Sequence, residues 1–235
     1  MKKIITKILF TWLKLLSYLP LSILYILASV IQFFVQHILH YRQTVINTNL
    51  AYALPYKSSL EVNKIRRKYY HHLSCIVVEI IKYISISKNS IDKRISLTHQ
   101  AKQLLFDLRN EQVPLFVLLG HFGNWEWASY LAANATNKKA YALYAPSNNI
   151  TFDNEMKKIR ERLGLHTILN SDIKKIIEVC QQNNLIAILA DQTPVDTDKA
   201  YWTNFLGIKT PFHQAYANIA HKQNAIVLYA SIHKN

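Results

Sequence analysis

From Pro114 onward the chain repeats one pattern, a short apolar run followed by a turn and an amphipathic stretch with helical spacing. The apolar runs are PLFVLL (114–119), AYALYA (140–145), HTIL (166–169), LIAILA (185–190) and AIVLYASI (225–232). Between them lie NWEWASYLAANA, DNEMKKIRERLG, DIKKIIEVCQQN and FHQAYANIAHKQN. Strands joined through helices cannot pair as hairpins, so the expected fold is α/β, a mostly parallel sheet flanked by helices. In such sheets ligands gather beyond the carboxyl ends of the strands. Three of those ends carry polar side chains: His121 after the first run, Tyr144 and Pro146 closing the second, and Asp191 with Gln192 after LIAILA.

The chain ahead of this pattern has a different character. Its first 60 residues contain no Asp or Glu, while Lys2, Lys3, Lys7 and Lys14 precede Leu15–Val35, an uncharged apolar segment. A bilayer-spanning helix needs about 20 such residues. Residues 1–40 are therefore read as a hydrophobic membrane-anchor helix and 41–235 as the α/β domain. No small-residue cleavage site follows the apolar run, which argues against a removed signal peptide. Pro20 lies inside the run, so a tilted span and an in-plane anchor both stay open. Lysines ahead of the segment favour a crossing by the positive-inside rule, but Arg42, Lys57, Lys64, Arg66, Arg67 and Lys68 follow it and weaken that bias.

After Pro55, Ser58 and Glu61 have capping-box spacing, and Val62, Ile65, Tyr69, Leu73, Ile76, Ile80 and Tyr83 follow at helical intervals. The basic cluster Arg66, Arg67, Lys68, with His71 and His72, is either a headgroup contact or a solvated helix face. A formal net charge of +14 calls for an anionic partner. The basic residues form no recognisable nucleic-acid module. Cys75 and Cys180 sit in apolar runs without a CxxC or Cys/His companion, and both are read as buried thiols, not metal ligands.

The stretch LLGHFGNWEW (119–128) concentrates chemistry: it holds Gly120 and Gly123, two of the chain's four glycines, on either side of His121, with Glu126 five residues beyond the histidine. Glycine permits sharp turns and close backbone approach. On one continuous helix His121 and Glu126 would lie roughly 140° apart. With a helix starting at Asn124, a good N-cap, His121 falls in the preceding turn and Glu126 in the first helical turn, where its carboxylate can fold back. A histidine oriented by a carboxylate is a general base suited to taking a proton from a hydroxyl.

HFGNWEW resembles the H-x4-D/E acyltransferase motif, in the His/Glu form of the bacterial lipid A biosynthesis acyltransferases, the lauroyl and myristoyl transferases of the inner membrane. The resemblance extends to the apolar amino-terminal anchor, YRQTVINTNLAYALP (41–55), YAPSNN from Tyr144, MKKIRERLG with Arg160 and Arg162, LADQTP around Asp191, and YWTNFLGIKTPF (201–212). It implies acyl transfer from an acyl carrier protein thioester, or acyl-CoA, to a hydroxyl of a phosphorylated glucosamine lipid at the cytoplasmic face. His121 would deprotonate the acceptor and Glu126 would support the imidazolium. Gly123, Asn124, Tyr144, Arg160, Arg162, Asp191 and Gln192 are the expected substrate-binding residues, and no metal or other cofactor is required. Two residues apart on one helix, Arg160 and Arg162 point about 200° from each other, so at most one faces the cleft. Asp191 and Gln192 are expected to order the acceptor or the arginine.

The expected partners are thus an acyl carrier protein and an anionic membrane bearing the glycolipid acceptor, with no nucleic acid; oligomeric state is not readable. The chain departs from the family pattern by stopping at LYASIHKN, just after a strand, where relatives continue; this leads us to expect a fragment with one bare sheet edge. Competing readings are a glycerolipid or lysophospholipid acyltransferase using the same His/carboxylate logic, and a non-catalytic membrane-bound lipid-binding protein that would not need His121.

Overall fold

The structure, a computed structural model, describes residues 2–233. Its amino-terminal part is helical: α1 (Lys2–Ser17), α2 (Leu21–Phe33), α3 (Gln43–Ala53), α4 (Ser59–Tyr83), α5 (Lys88–Asp92) and α6 (His99–Asp107). The α/β part then runs β1 (Leu115–Leu119), α7 (Trp125–Asn134), β2 (Ala140–Tyr144), α8 (Ile150–Glu161), β3 (Leu165–Leu169), α9 (Ile173–Gln181) and β4 (Leu185–Leu189). A hairpin of β5 (Ala200–Phe205) and β6 (Ile208–His213) comes next, then α10 (Ala215–Lys222) and β7 (Ile226–Tyr229).

The predicted parallel sheet forms, with five strands in the order β3-β2-β4-β1-β7. Strand β4 sits at its centre and is the most apolar of the five, as a strand covered on both faces must be. Its side chains alternate: Leu185 and Ala187 join Leu115, Ala140 and Leu165 against Ala132 and Ala133 of α7. Ile186 and Ile188 point the other way, onto Ile176, Val179 and Cys180 of α9 and Ala220 of α10. Cys180 is buried as expected, and burial pushes its thiol pKa up to about 11. Cys75 is only half buried.

The apolar leader is broken at Pro20, inside the run read as the anchor. Pro20 cannot donate to a preceding turn, and the chain breaks there: α1 ends at Ser17 and α2 starts at Leu21 with Pro20 at its N-cap. The stretch long and apolar enough to cross a membrane is therefore Leu21–Ile38, in which α2 runs on into one π-helical turn, Phe34–Ile38. This stretch is the candidate membrane anchor.

One side of α2 is committed to protein. Leu21, Leu24 and Ala28 are buried together with Val78 and Tyr83 of α4, Trp127 and Tyr130 of α7, and Phe10 of α1. The remaining sides expose Ile23, Ile26, Val30, Phe33 and Phe34, and α1 exposes Ile4, Ile5, Ile8, Leu9 and Trp12. The capping box at the start of α4 forms as read: Ser58 Oγ accepts from the Glu61 amide and the Glu61 carboxylate accepts from the Ser58 amide.

Leu24 has no exposed surface at the seam between α2 and α4. Leu24→Ala is expected to destabilise the fold by about 2–5 kcal/mol through lost burial and the cavity left behind, measured as the loss of Tm or denaturation midpoint of the detergent-solubilised protein.

Candidate active site

Strand β1 leads straight into the glycine-flanked turn, and its neighbour β4 ends alongside it at Asp191. The carboxylate of Asp191 binds the turn at two points. Oδ2 accepts from the backbone N–H of His121 at 2.7 Å, and Oδ1 lies 2.7 Å from Nδ1 of the same residue. Facing a carboxylate, Nδ1 carries the proton and donates it, which leaves the lone pair on Nε2.

Gly120 eases this approach. A Cβ there would lie 3.1 Å from Asp191 Oδ2, a tight contact that would press the carboxylate back by a few tenths of an ångström. Gly123 serves the other side of the turn: its φ is +65°, and a Cβ would meet Ile232 Cγ2 at 2.7 Å.

The imidazole is fixed by more than Asp191. The Trp125 ring packs edge-on against it, with centroids 5.0 Å apart, and the Gln192 amide nitrogen lies 3.5 Å from Nε2. The His121 side chain remains 29 % exposed, enough for a substrate atom to reach Nε2.

Glu126 stands elsewhere in the network than expected. The carboxylate bonded to the His121 ring is that of Asp191, and both Glu126 oxygens are taken by the Arg160 guanidinium, Nε to Oε2 at 3.0 Å and Nη2 to Oε1. The reason is local geometry: Asn124 caps α7 through its side chain on the Trp127 amide, which sets Glu126 in the first turn with its side chain buried. Burial works against the charge of Arg160, but the hydrogen bonds and charge of Glu126 outweigh it and raise its pKa above the ordinary arginine value. The surrounding layer is dry enough that burial pushes the Tyr83 hydroxyl up to about 12.

Of the two arginines, Arg160 alone joins this network, and Tyr144 at the end of β2 is near enough to contribute to its electrostatics. Arg162 points the other way, as their spacing requires. Its guanidinium donates to the Tyr83 and Ile86 carbonyls at 2.7 and 2.8 Å, closing the end of α4. The acids of α8 near these arginines, Glu155 and Glu161, pair with Lys158 and Lys157.

Asn124 is also spoken for at both ends of its amide. Besides its cap bond, its Nδ2 donates to Glu79 Oε2 at 2.9 Å, while the other Glu79 oxygen accepts from the Tyr25 hydroxyl at 2.8 Å. Glu79, on α4, thereby ties the apolar helix α2 to the turn that follows His121. Sequence reasoning did not find it. The only available signal was an acidic residue in the apolar run CIVVEII, which alone does not name a partner.

A parallel α/β sheet that presents a histidine at one strand end, its ring held by an aspartate from the neighbouring strand, is an arrangement with the chemistry to take a proton from a hydroxyl. The chain belongs to the bacterial lipid A biosynthesis acyltransferase family, whose model matches residues 2–234. It is accordingly an acyltransferase. Comparison with curated proteins gave no match.

The two carboxylates should respond differently to substitution. Glu126→Ala strands a largely buried guanidinium and is expected to cost about 3–5 kcal/mol of stability. Asp191→Asn, at a side chain 44 % exposed, should leave the unfolding midpoint nearly unchanged. Denaturant titrations of the two variants beside the wild type check this.

Proposed function

We propose that the chain moves a fatty acyl group from the thioester of an acyl carrier protein to a hydroxyl of a lipid A precursor, at the cytoplasmic face of the bacterial inner membrane. The observation that carries this reading is the His121 ring, bonded through Nδ1 to Asp191 and partly open to solvent. Nε2 takes the proton of the acceptor hydroxyl as its oxygen attacks the thioester carbonyl. Asp191 keeps the ring in the required tautomer and stabilises the imidazolium that forms. The tetrahedral intermediate collapses with cleavage of the C–S bond, and the departing thiolate takes the proton back from Nε2, giving an ester and a free thiol. The positive end of α7, beginning just beyond the turn, favours the negative charge that develops on the former carbonyl oxygen. Glu126 and Arg160 act one step removed as positioning residues, holding the first turn of α7 on which that polarity depends.

The thioester of a carrier protein is cytoplasmic, so the site must face that side. Packing of the apolar helix supports this. Along α2, Tyr25 bonds Glu79 and Gln32 bonds the Arg67 carbonyl and the His71 ring, all on α4, a helix that also bears exposed Arg67 and Lys68. A helix tied along one side to a charged, water-facing helix is suited to lying in the membrane surface, with the opposite side in lipid. The net charge of +14 fits both an acidic carrier protein and an anionic lipid surface.

The direct test offers membranes containing the protein a labelled acyl carrier protein thioester, with lipid A precursor or lysophospholipid as acceptor. Label is expected in the lipid A precursor. Both His121→Ala and Asp191→Asn should lower the rate by about 10²- to 10⁴-fold; transfer confined to lysophospholipid would overturn the acceptor assignment. For orientation, a probe cysteine at Ser171 in a cysteine-free background should be protected from a membrane-impermeant reagent in intact cells and become labelled only after lysis. Labelling in intact cells would exclude a cytoplasmic donor.

A further inference from the structure

The β5–β6 hairpin grows out of the same carboxyl end of the sheet as the candidate site, since segment 192–199 joins it directly to Asp191 just beyond β4. It pairs only with itself as a two-stranded antiparallel ribbon. Such ribbons are marginal in water unless a face is covered, yet nearly every residue of β5 is exposed.

The two faces have different characters. Register puts Tyr201 opposite Phe212, Thr203 opposite Thr210 and Phe205 opposite Ile208 on one face, with the Phe205 and Phe212 rings edge-on at 5.8 Å. The other face sets Trp202 opposite Pro211 and Asn204 opposite Lys209, and the Lys209 ammonium lies 5.8 Å from the Trp202 ring. An apolar face backed by an aromatic ring and a lysine is the composition that sits at a bilayer interface, where the ring occupies headgroup depth and the ammonium reaches phosphate.

The turn is the more telling feature. Leu206 and Gly207 both have positive φ, +50° and +78°. A two-residue hairpin turn of that kind is normally filled by Asn-Gly or Asp-Gly, and a leucine there is strained. The strain places an apolar side chain, 58 % exposed, at the outermost point of the ribbon, flanked by Phe205 and Ile208. A turn meant only for water has no use for that residue.

We propose that the hairpin is a second membrane contact. Its tip, Phe205–Ile208, enters the interfacial layer of an anionic bilayer and holds the sheet end bearing His121 against the surface from which a lipid acceptor arrives. The inference rests on the membrane-bound lipid-acylation reading above. The charged groups around the ribbon are Lys199 and Lys209, with Asp196 and Asp198 at its base, where Asp196 lies 3.9 Å from Lys199. Lys209 is the charge nearest the tip, so the end that would meet phosphate is cationic. Six residues per strand span roughly 20 Å, ample for the tip to enter an interface that amphipathic elements penetrate by about 5–10 Å.

The test uses the full chain bound to phosphatidylethanolamine/phosphatidylglycerol vesicles, with a nitroxide at Leu206→Cys in a Cys75→Ser/Cys180→Ala background. The same label at Lys174→Cys, on α9, is the control. The label at 206 should collide more with oxygen than with a water-soluble nickel chelate, and the label at 174 should show the reverse. A protein that floats with vesicles while the 206 label stays in water overturns the hairpin contact alone. A chain that does not float at all overturns the membrane reading and this proposal together.

Leu206→Asn supplies an independent check, because Asn adopts the left-handed turn more readily than Leu. The variant should keep or raise Tm while vesicle partition falls about tenfold. Unchanged partition, a lowered Tm that marks Leu206 as packed against protein, or a loss confined to carrier-protein binding would each contradict the proposal.

Discussion

One carboxylate joins the two central strands of the sheet to the chemistry at their ends. Asp191 bonds both the backbone and the ring of His121, so it holds the turn after β1 and orients the imidazole in one contact. That contact requires β1 and β4 to be neighbours in register, which the pairing of Leu119 with Leu189 provides. A Cβ at position 120 would crowd the carboxylate at 3.1 Å, and a shift of one residue in either strand would move the carboxylate off the ring.

The same dependence explains what was legible in the sequence and what was not. Apolar runs separated by helical spacing marked the five strands of the parallel sheet, and Asn124 and Ser58 marked helix starts, because those signals are local; the β5–β6 hairpin, which takes Phe212 and His213 from the stretch read as helix, was not marked. The cluster of glycines around His121 pointed to a presented side chain for the same reason. The partner of His121 was different. Glu126 is close in sequence but turns inward from the first turn of α7 to Arg160, whereas Asp191 is 70 residues away and reaches the ring only through the order β4-β1. Strand order is a property of the whole sheet, and no short stretch states it. Arg162 illustrates the converse: its spacing from Arg160 said that the two diverge, but not that free carbonyls at the end of α4 would take it.

The apolar leader packs against the helices beside the candidate site. Pro20 divides it, α2 shares a buried layer with α4 and α7, and Glu79 carries a hydrogen-bonded link from Tyr25 on α2 to Asn124 beside the site. Any displacement of α2 therefore bears on the turn that holds His121 through two hydrogen bonds and one shared carboxylate.

If the Asp191 contact sets the tautomer, the proton rests on Nδ1 of His121 and Nε2 is left as the base. Nitrogen-15 NMR of the histidine-labelled protein, with His121 assigned by difference against His121→Ala, reads that tautomer directly. The expected spectrum near neutral pH has a pyrrole-type Nδ1 and a pyridine-type Nε2, a pattern lost in Asp191→Asn and kept in Glu126→Gln. A ring protonated at Nε2, or one whose tautomer follows Glu126 and ignores Asp191, would contradict it.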